Sequence, residues 1–415
     1  MKIRIPKDHN RLIIDLYCLF ILLMPVNLIS NTAFYEISTP ASIWYKYRTF
    51  EYSIFVIPLI ILAVVSHKKS TAIQFIHIIV AVAIKDLVFT MIGKQNPEVP
   101  FDFALYLVLL IAWALSVAIM RYDDGSNQQA GHFLDTYFIL AIMTMLLRVV
   151  LGMTRFGRYG AIGLSLGGTG FFAAIYVIYL LYVREYSKRV PYLIIIALMA
   201  LILTGQRTNL FFCVLFCIPY VSKNIFSRGE DSEGKIKSML LGGILLFTIV
   251  AVCILIILND FGIKIEGFDY ITRIFEAVSR AFSGELGGEA SLRGRTRSLN
   301  VGMAVLSENP FGITNVFYDL QYRMARLTYP TFPHSSVLAS ALLWSSPITL
   351  VCLIWLIRLL VKLRKMRDGY FWIVLYIVIL MTIWSGPFVD YPMLFIILLL
   401  LSMSHNRAFI LNNEA

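Results

Sequence analysis

The sequence has 415 residues, of which 59% are hydrophobic and only 15% are charged. Soluble domains are about one quarter charged and rarely carry long apolar runs, so this composition excludes a soluble enzyme and a single-span receptor. It also excludes an outer-membrane barrel, because barrel strands alternate apolar and polar residues.

The apolar runs predict an all-α, polytopic membrane protein that forms a single integral membrane domain over residues 1–415. At roughly 20 residues per crossing, the chain has room for about 12 transmembrane helices. In chain order, the predicted spans are 11–30, 52–66, 71–93, 103–120, 133–151, 164–183, 190–205, 209–221, 239–259, 335–361, 370–386 and 393–405.

The net charge of +11 first suggests a nucleic-acid partner. With the N-terminus inside, however, Lys and Arg concentrate in the cytoplasmic segments and are sparse in the short loops of the other face. This is the distribution that orients membrane proteins. We therefore expect both termini to be cytoplasmic and expect no nucleic-acid partner.

Nothing in the sequence calls for a cofactor. The five cysteines all fall inside predicted spans and lack the spacing of metal ligands, so we expect no metal site. No phosphate-binding glycine motif of a nucleotide site is present either. The candidate chemistry therefore lies on the outer face.

One loop is much longer than the others. Residues 260–333 lie between the ninth and tenth spans, on the non-cytoplasmic side, and a loop of this length is usually structured or functional. Apolar spacing predicts helices at 270–283, at 296–308 ending before Asn309-Pro310, and from about Thr314. We expect these short helices to roof a cavity at the membrane surface.

The basic residues of this loop are mostly arginine, whose planar fork of donors suits a phosphate better than the point charge of lysine. Arg293, Arg295 and Arg297 precede or begin the helix predicted at 296–308. Side-chain cations and free backbone N–H groups would combine there as a diphosphate cradle. The alternative is a solvated basic turn or an anchor for lipid headgroups.

Two further residues are candidates for chemistry. Arg207 lies in a very short outer turn, where the alternative is an interfacial anchor. His334 lies where the long loop re-enters the membrane and could take a proton from a hydroxyl group, although a lone loop histidine is often incidental. Glu285, Glu289 and Glu308 are rival bases or acceptor contacts, with a solvated surface as their ordinary setting.

Several charges fall inside predicted spans, where they should pair or line a cavity. Lys85 and Asp86 are adjacent and point in different directions on a helix, so we expect each to have a partner elsewhere. Asp135 is a third such charge. Arg148 and Arg358 are close enough to span ends to extend towards the headgroups.

The order of these features resembles the bacterial O-antigen polymerase and ligase superfamily (Wzy-type polymerases and related ligases). Its members commonly show Gly-Arg, then (His/Asn)-Pro-x-x-Gly, then His-Asn-x-x-Leu at the next span. This sequence has Gly294-Arg295, Asn309-Pro310-Phe311-Gly312 and His334-Ser335 with Leu338. It departs from the pattern at Asn309–Gly312, where one residue instead of two separates Pro310 from Gly312, and at Leu299 (usually Trp). It departs also at Ser335 (usually Asn) and at 343–345, where Leu-Trp-Ser replaces Glu-x-Gly.

The resemblance implies a GT-C-like glycosyltransferase of the bacterial inner membrane that uses no nucleotide or metal. Its donor and acceptor would be undecaprenyl-diphosphate-linked oligosaccharides, among membrane lipids, with a chain-length regulator as a further partner. It assigns the leaving diphosphate to Arg207 and Arg295, with Arg293 and Arg297 as neighbours. His334 would orient or deprotonate the acceptor hydroxyl.

Two alternatives stay open. A ligase would transfer the glycan to lipid A–core instead of to a second repeat unit, and it would use the same Arg and His residues. A flippase for the same lipid-linked units would be a transporter with its polar residues in a central channel, formed here by Lys85, Asp86 and Asp135.

Overall fold

The computed structural model describes residues 15, 72–92, 128–152, 159–161, 166–184, 187, 189–226, 243, 290–312, 335–383 and 391–414. Several predictions lie outside the described residues. They are the spans at 52–66 and 103–120, the spans at 11–30 and 239–259 apart from residues 15 and 243, the loop helices at 270–283 and from Thr314, and the candidates Glu285, Glu289 and His334.

All regular structure in this described part of the chain is α-helical. Its helices are α1 (Ala72–Met91), α2 (Gln128–Val150), α3 (Leu166–Tyr182), α4 (Val190–Leu203), α5 (Arg207–Phe226), α6 (Ala290–Glu308), α7 (Ser336–Leu343), α8 (Ser346–Lys365), α9 (Tyr370–Ile383) and α10 (Tyr391–Glu414). The prediction of an all-α protein is confirmed for these residues, while the number of spans stays a prediction.

Most predicted spans within the described residues coincide with one helix each, but the span at 335–361 is wrong as a single helix. It is divided into α7 and α8 by a break at Trp344 and Ser345. Pro347 supplies the physical reason. It has no N–H to continue a helix from Leu343, and it fits the first turn of α8, where no N–H is needed.

Two helical segments are long and apolar enough to cross a membrane: Gly131–Val150 and Ser346–Lys365. The core helix of a soluble protein would be mostly buried, whereas only 39% and 22% of these segments is buried inside the protein. Shorter apolar helical segments are Gly167–Tyr182, Val190–Leu203, Thr208–Tyr220 and Tyr370–Ile383. Length, composition and exposure together support association with a membrane.

The chain forms two compact units. The first unit comprises residues 1–137 and 294–415, and the second unit comprises residues 138–293. In the second unit α3 packs against both α4 and α5, and nearly every side chain from Phe171 to Leu181 is buried. Phe138 stacks on Tyr176, with ring centroids 4.1 Å apart. A helix without a polar face is expected to be buried on all sides, and the apolar sequence of α3 accounts for its central position.

In the first unit α7, α8, α9 and α10 pack together. The turn between α8 and α9 is fixed by Asp368, whose carboxylate accepts bonds from Tyr370 N at 2.9 Å and from Arg407 Nε at 3.3 Å. The same carboxylate therefore caps the start of α9 and ties α10 to the turn.

Candidate functional site

The arginine run of the long loop lies inside a helix, which corrects one prediction. We expected a helix at 296–308 with the run at its N-terminus, but the described helix α6 begins at Ala290. From residue 294 onwards the backbone N–H groups can bond within the helix. The run therefore cannot offer the free N–H groups of the predicted diphosphate cradle.

The helix also separates two of the arginines. Arg295 and Arg297 are both exposed, but residues two positions apart project about 200° around a helix and do not face each other. Between them Ser298, Gly302 and Val305 form the buried stripe that holds α6 against the protein. Arg295 and Arg297 therefore flank this stripe on opposite sides. Arg293 lies one turn from Arg297 on α6, and its side chain is outside the described residues.

The end of α6 agrees with the sequence prediction. Asn309 closes the helix with both its backbone N–H and its side-chain Nδ2, which donate to Val305 O at 3.0 and 3.1 Å. The chain then turns at Pro310, and Gly312 N donates to Asn309 O at 2.8 Å. Glu308, a candidate base, is exposed at the last position of the helix.

The turn 309–312 packs directly against α7. Gly312 has a φ of +89°, and a Cβ atom added there would lie 2.6 Å from Leu342 O, 2.8 Å from Ala341 O and 3.2 Å from Ser345 Cα. The first two distances, both to backbone oxygens, are closer than real Cβ contacts allow, and φ lies in the left-handed region, so only glycine fits this position. The turn 309–312 thus contacts the C-terminal end of α7, the helix whose N-terminal end carries Ser335 and Leu338.

Ser335 begins α7 as its N-cap. Its backbone is extended, and its Oγ accepts a hydrogen bond from Leu338 N at 3.3 Å. Asn and Ser are both strong N-cap residues, so the replacement of the usual Asn keeps the capping function. His334 immediately precedes this cap in sequence and lies outside the described residues. The signal in the sequence that could have revealed the cap is the pair of serines directly before the apolar run that begins at Val337.

The break between α7 and α8 is tightly specified. Ser345 has a φ of +108°, which L-residues rarely adopt, and its Oγ accepts from Ile348 N at 3.5 Å to cap α8. Across the break Thr349 Oγ1 donates to Ser340 Oγ at 3.2 Å, in a buried position. Ser345 stands where the resembled family carries glycine, the residue that adopts this conformation freely.

Arg207 lies in the second unit, as the first residue of α5; its side chain is outside the described residues. The predicted turn was 204–208, but the observed turn is shorter: it consists of Thr204, Gly205 and Gln206, and Arg207 and Thr208 already belong to α5. Gly205 has a φ of +60° and donates its N–H to Ile202 O at 2.9 Å.

Two predictions concern charges within spans. Lys85 and Asp86 pair with each other at 3.0 Å, with both side chains nearly buried, and Lys85 Nζ also lies 5.8 Å from the centroid of the Phe89 ring. The prediction for Arg148 was wrong. Arg148 does not extend outwards. It is only 6% exposed, and its Nη1 donates to Gly160 O at 3.4 Å.

Comparison with models of known protein families gives no match, and comparison with curated protein sequences gives none either.

Proposed function

We propose that the protein is an O-antigen polymerase that joins undecaprenyl-diphosphate-linked oligosaccharide repeat units at the periplasmic face of the bacterial inner membrane. The observation that supports this best is the contact of Gly312 with α7. The motif Asn309–Gly312 and the motif that begins at His334 match the family in sequence order. Gly312, the last residue of the first motif, lies against the C-terminal end of α7, and the second motif lies at the start of the same helix. One helix therefore connects the two motif segments, and this supports the resemblance.

A second line of support comes from the capped start of α7. A residue that acts on a substrate hydroxyl must be held within a fraction of an ångström, which favours placement at the end of a fixed helix. The Ser335 cap and the Gly312 contact fix α7 at both of its ends. His334 is joined directly to the capped end, and this favours it as the base.

The proposed reaction is a single displacement. The oxygen of the acceptor hydroxyl forms a bond to the anomeric carbon of the donor, the bond from that carbon to the diphosphate oxygen breaks, and the hydroxyl proton passes to His334. Diphosphate leaves readily but gathers negative charge as it does so. A well-placed donor at such a position contributes about 3–4 kcal/mol to transition-state stabilisation. We assign this function to Arg207 and Arg295.

One displacement inverts the anomeric configuration. Comparison of the configuration in the lipid-linked donor with that in the new glycosidic bond tests this directly, and the same configuration in both would refute the single step. Arg295→Ala and His334→Ala should each abolish chain growth at normal protein level. Full activity of either variant would remove that residue from the mechanism.

The decisive experiment is deletion of the gene, followed by analysis of the host's lipopolysaccharide beside its lipid-linked glycans. A polymerase leaves core carrying a single repeat unit, because ligation continues without chain growth. Bare core with long polymer on undecaprenyl diphosphate would instead establish the ligase. Bare core with single lipid-linked units would establish a flippase and overturn the catalytic assignment.

A further inference from the structure

A short segment of the second unit, residues 159–161, is tied to three helices. We call it the strap. Its bonds run from Tyr159 N to Leu203 O (3.1 Å), from Arg148 Nη1 to Gly160 O (3.4 Å) and from Ala161 N to Thr169 Oγ1 (3.0 Å). The strap therefore joins the last turn of α2, the first turn of α3 and the end of α4.

Burial of the Arg148 guanidinium costs free energy unless polar partners replace the water that it loses. A guanidinium cannot lose its charge in a protein, and a buried charge needs polar partners. Arg148 could extend to the membrane surface from the last turn of α2, yet it is 94% buried and donates to a backbone carbonyl of the strap. A hydrogen bond from a charged donor is stronger than one from a neutral donor.

The turn that directly precedes Arg207, formed by residues 204–206, is held by the same set of helices. A Cβ atom on Gly170 of α3 would lie 2.9 Å from Gln206 Cβ and 3.0 Å from Thr204 Oγ1, so α3 lies directly against the turn. Asn209 of α5, which is 2% exposed, donates from Nδ2 to Gly167 O at 3.3 Å. The strap itself bonds to the last residue of α4, Leu203.

We propose that Arg148 is a positioning residue that acts through the strap to fix the α4–α5 turn, and with it the backbone of Arg207. The inference rests on the proposed function for the part that Arg207 plays in catalysis, and on the described hydrogen bonds for the placement itself. A displacement of about 1 Å in a charge-stabilising group can reduce a rate by about 100-fold, so small movements of the turn matter.

The test compares paired variants at two points of the strap. Arg148→Met removes the donor to Gly160 and Arg148→Lys keeps a cationic donor, while Thr169→Val removes the acceptor for Ala161 and Thr169→Ser keeps it. The matched control is Tyr182→Phe. It removes a 2.8 Å bond to Phe216 O that also joins α3 and α5, but far from the turn.

The full-length protein is assayed in lipid nanodiscs with lipid-linked oligosaccharide extracted from a host strain that lacks this gene. Arg148→Met and Thr169→Val should each lower kcat by about 10–100-fold with little change in KM, because the charge on the leaving diphosphate develops in the transition state. Arg148→Lys and Thr169→Ser should recover most of kcat, and Tyr182→Phe should leave it unchanged.

A second readout does not depend on activity. In a background without the native cysteines, a thiol placed by Gln206→Cys reports how freely the turn opens to a maleimide reagent. Its labelling rate should rise in Arg148→Met and Thr169→Val, and stay unchanged in Tyr182→Phe. The Thr169 pair keeps the test informative if Arg148→Met does not fold.

The outcomes separate this inference from the proposed function. Unchanged labelling in Arg148→Met and Thr169→Val, or an equal loss of kcat in Tyr182→Phe, would overturn the positioning function of Arg148. If Arg207→Ala is fully active, the catalytic assignment of Arg207 fails, while faster labelling still supports the placement of the turn by the strap.

Discussion

Replacement of Gly312 by alanine should be among the most damaging single substitutions in the first unit. The added Cβ would lie 2.6 and 2.8 Å from two backbone carbonyl oxygens, so the backbone itself would have to move. Overpacking of this kind costs about 1–3 kcal/mol, and a left-handed φ costs an L-residue about 1–2 kcal/mol. We expect the free energy of unfolding to fall by about 2–5 kcal/mol, together with loss of long-chain O-antigen.

Two other glycines serve as controls that separate the cost of the steric clash from the cost of the left-handed backbone. Gly152 has a φ of +64° but open space around it, and Gly294 lies in α6 with nothing within 4 Å. In detergent-solubilised protein unfolded by SDS, Gly152→Ala should therefore cost only the backbone term, about 1–2 kcal/mol. Gly294→Ala should be neutral or slightly stabilising. If Gly312→Ala is no more destabilising than Gly152→Ala, the turn 309–312 does not pack against α7 as described.

Other predictions concern the ends of the broken helix and the arginines of α6. Ser345→Gly should raise the unfolding midpoint, since glycine relieves the left-handed strain; a lower midpoint would show that the Ser345 cap outweighs that strain. Ser335→Asn should keep normal stability, whereas Ser335→Ala should cost about 1 kcal/mol through loss of the bond from Leu338 N, and equal midpoints would argue against capping. Arg295 and Arg297 lie on opposite sides of the buried stripe of α6, so they cannot both face one diphosphate. Their alanine variants should therefore differ strongly in polymer synthesis. Equal losses would contradict the assignment of Arg295, and not of Arg297, to the diphosphate.

The end of a helix could be predicted from the sequence where a residue at that position caps the helix or cannot continue it. Asn309 and Pro310 marked the end of α6, because a side chain that can bond the last carbonyls and a residue without an N–H act within a single turn. The start of α6 was missed by six residues, since nothing in the run before Arg293 blocks a helix. That error changed the interpretation of the arginines from an N-terminal cradle to two flanks of a helix surface.

The pattern of apolar residues could not predict the break at Ser345 or the pairing of Lys85 with Asp86. Hydropathy continues across the break, and the only local sign is Pro347, which is equally at home in the first turn of a new helix. Adjacent residues point in different directions on a helix, so the ion pair depends on how far the lysine stem bends. The order of the family motifs was visible in the sequence, but the contact of Gly312 with the C-terminal end of α7 was not.

The broken helix determines which side of α8 can face lipid. Backbone groups left free at a break are costly in hydrocarbon, so a break at membrane depth must be enclosed by protein. The buried side of α8, the helix that begins after Ser345, carries Thr349, Leu356, Leu359 and Leu363. The exposed residues Leu350, Val351, Ile354, Ile357 and Val361 lie on the opposite side. Photoactivatable acyl chains should therefore label this second row of residues and spare the first, which would report the rotation of α8 in the bilayer.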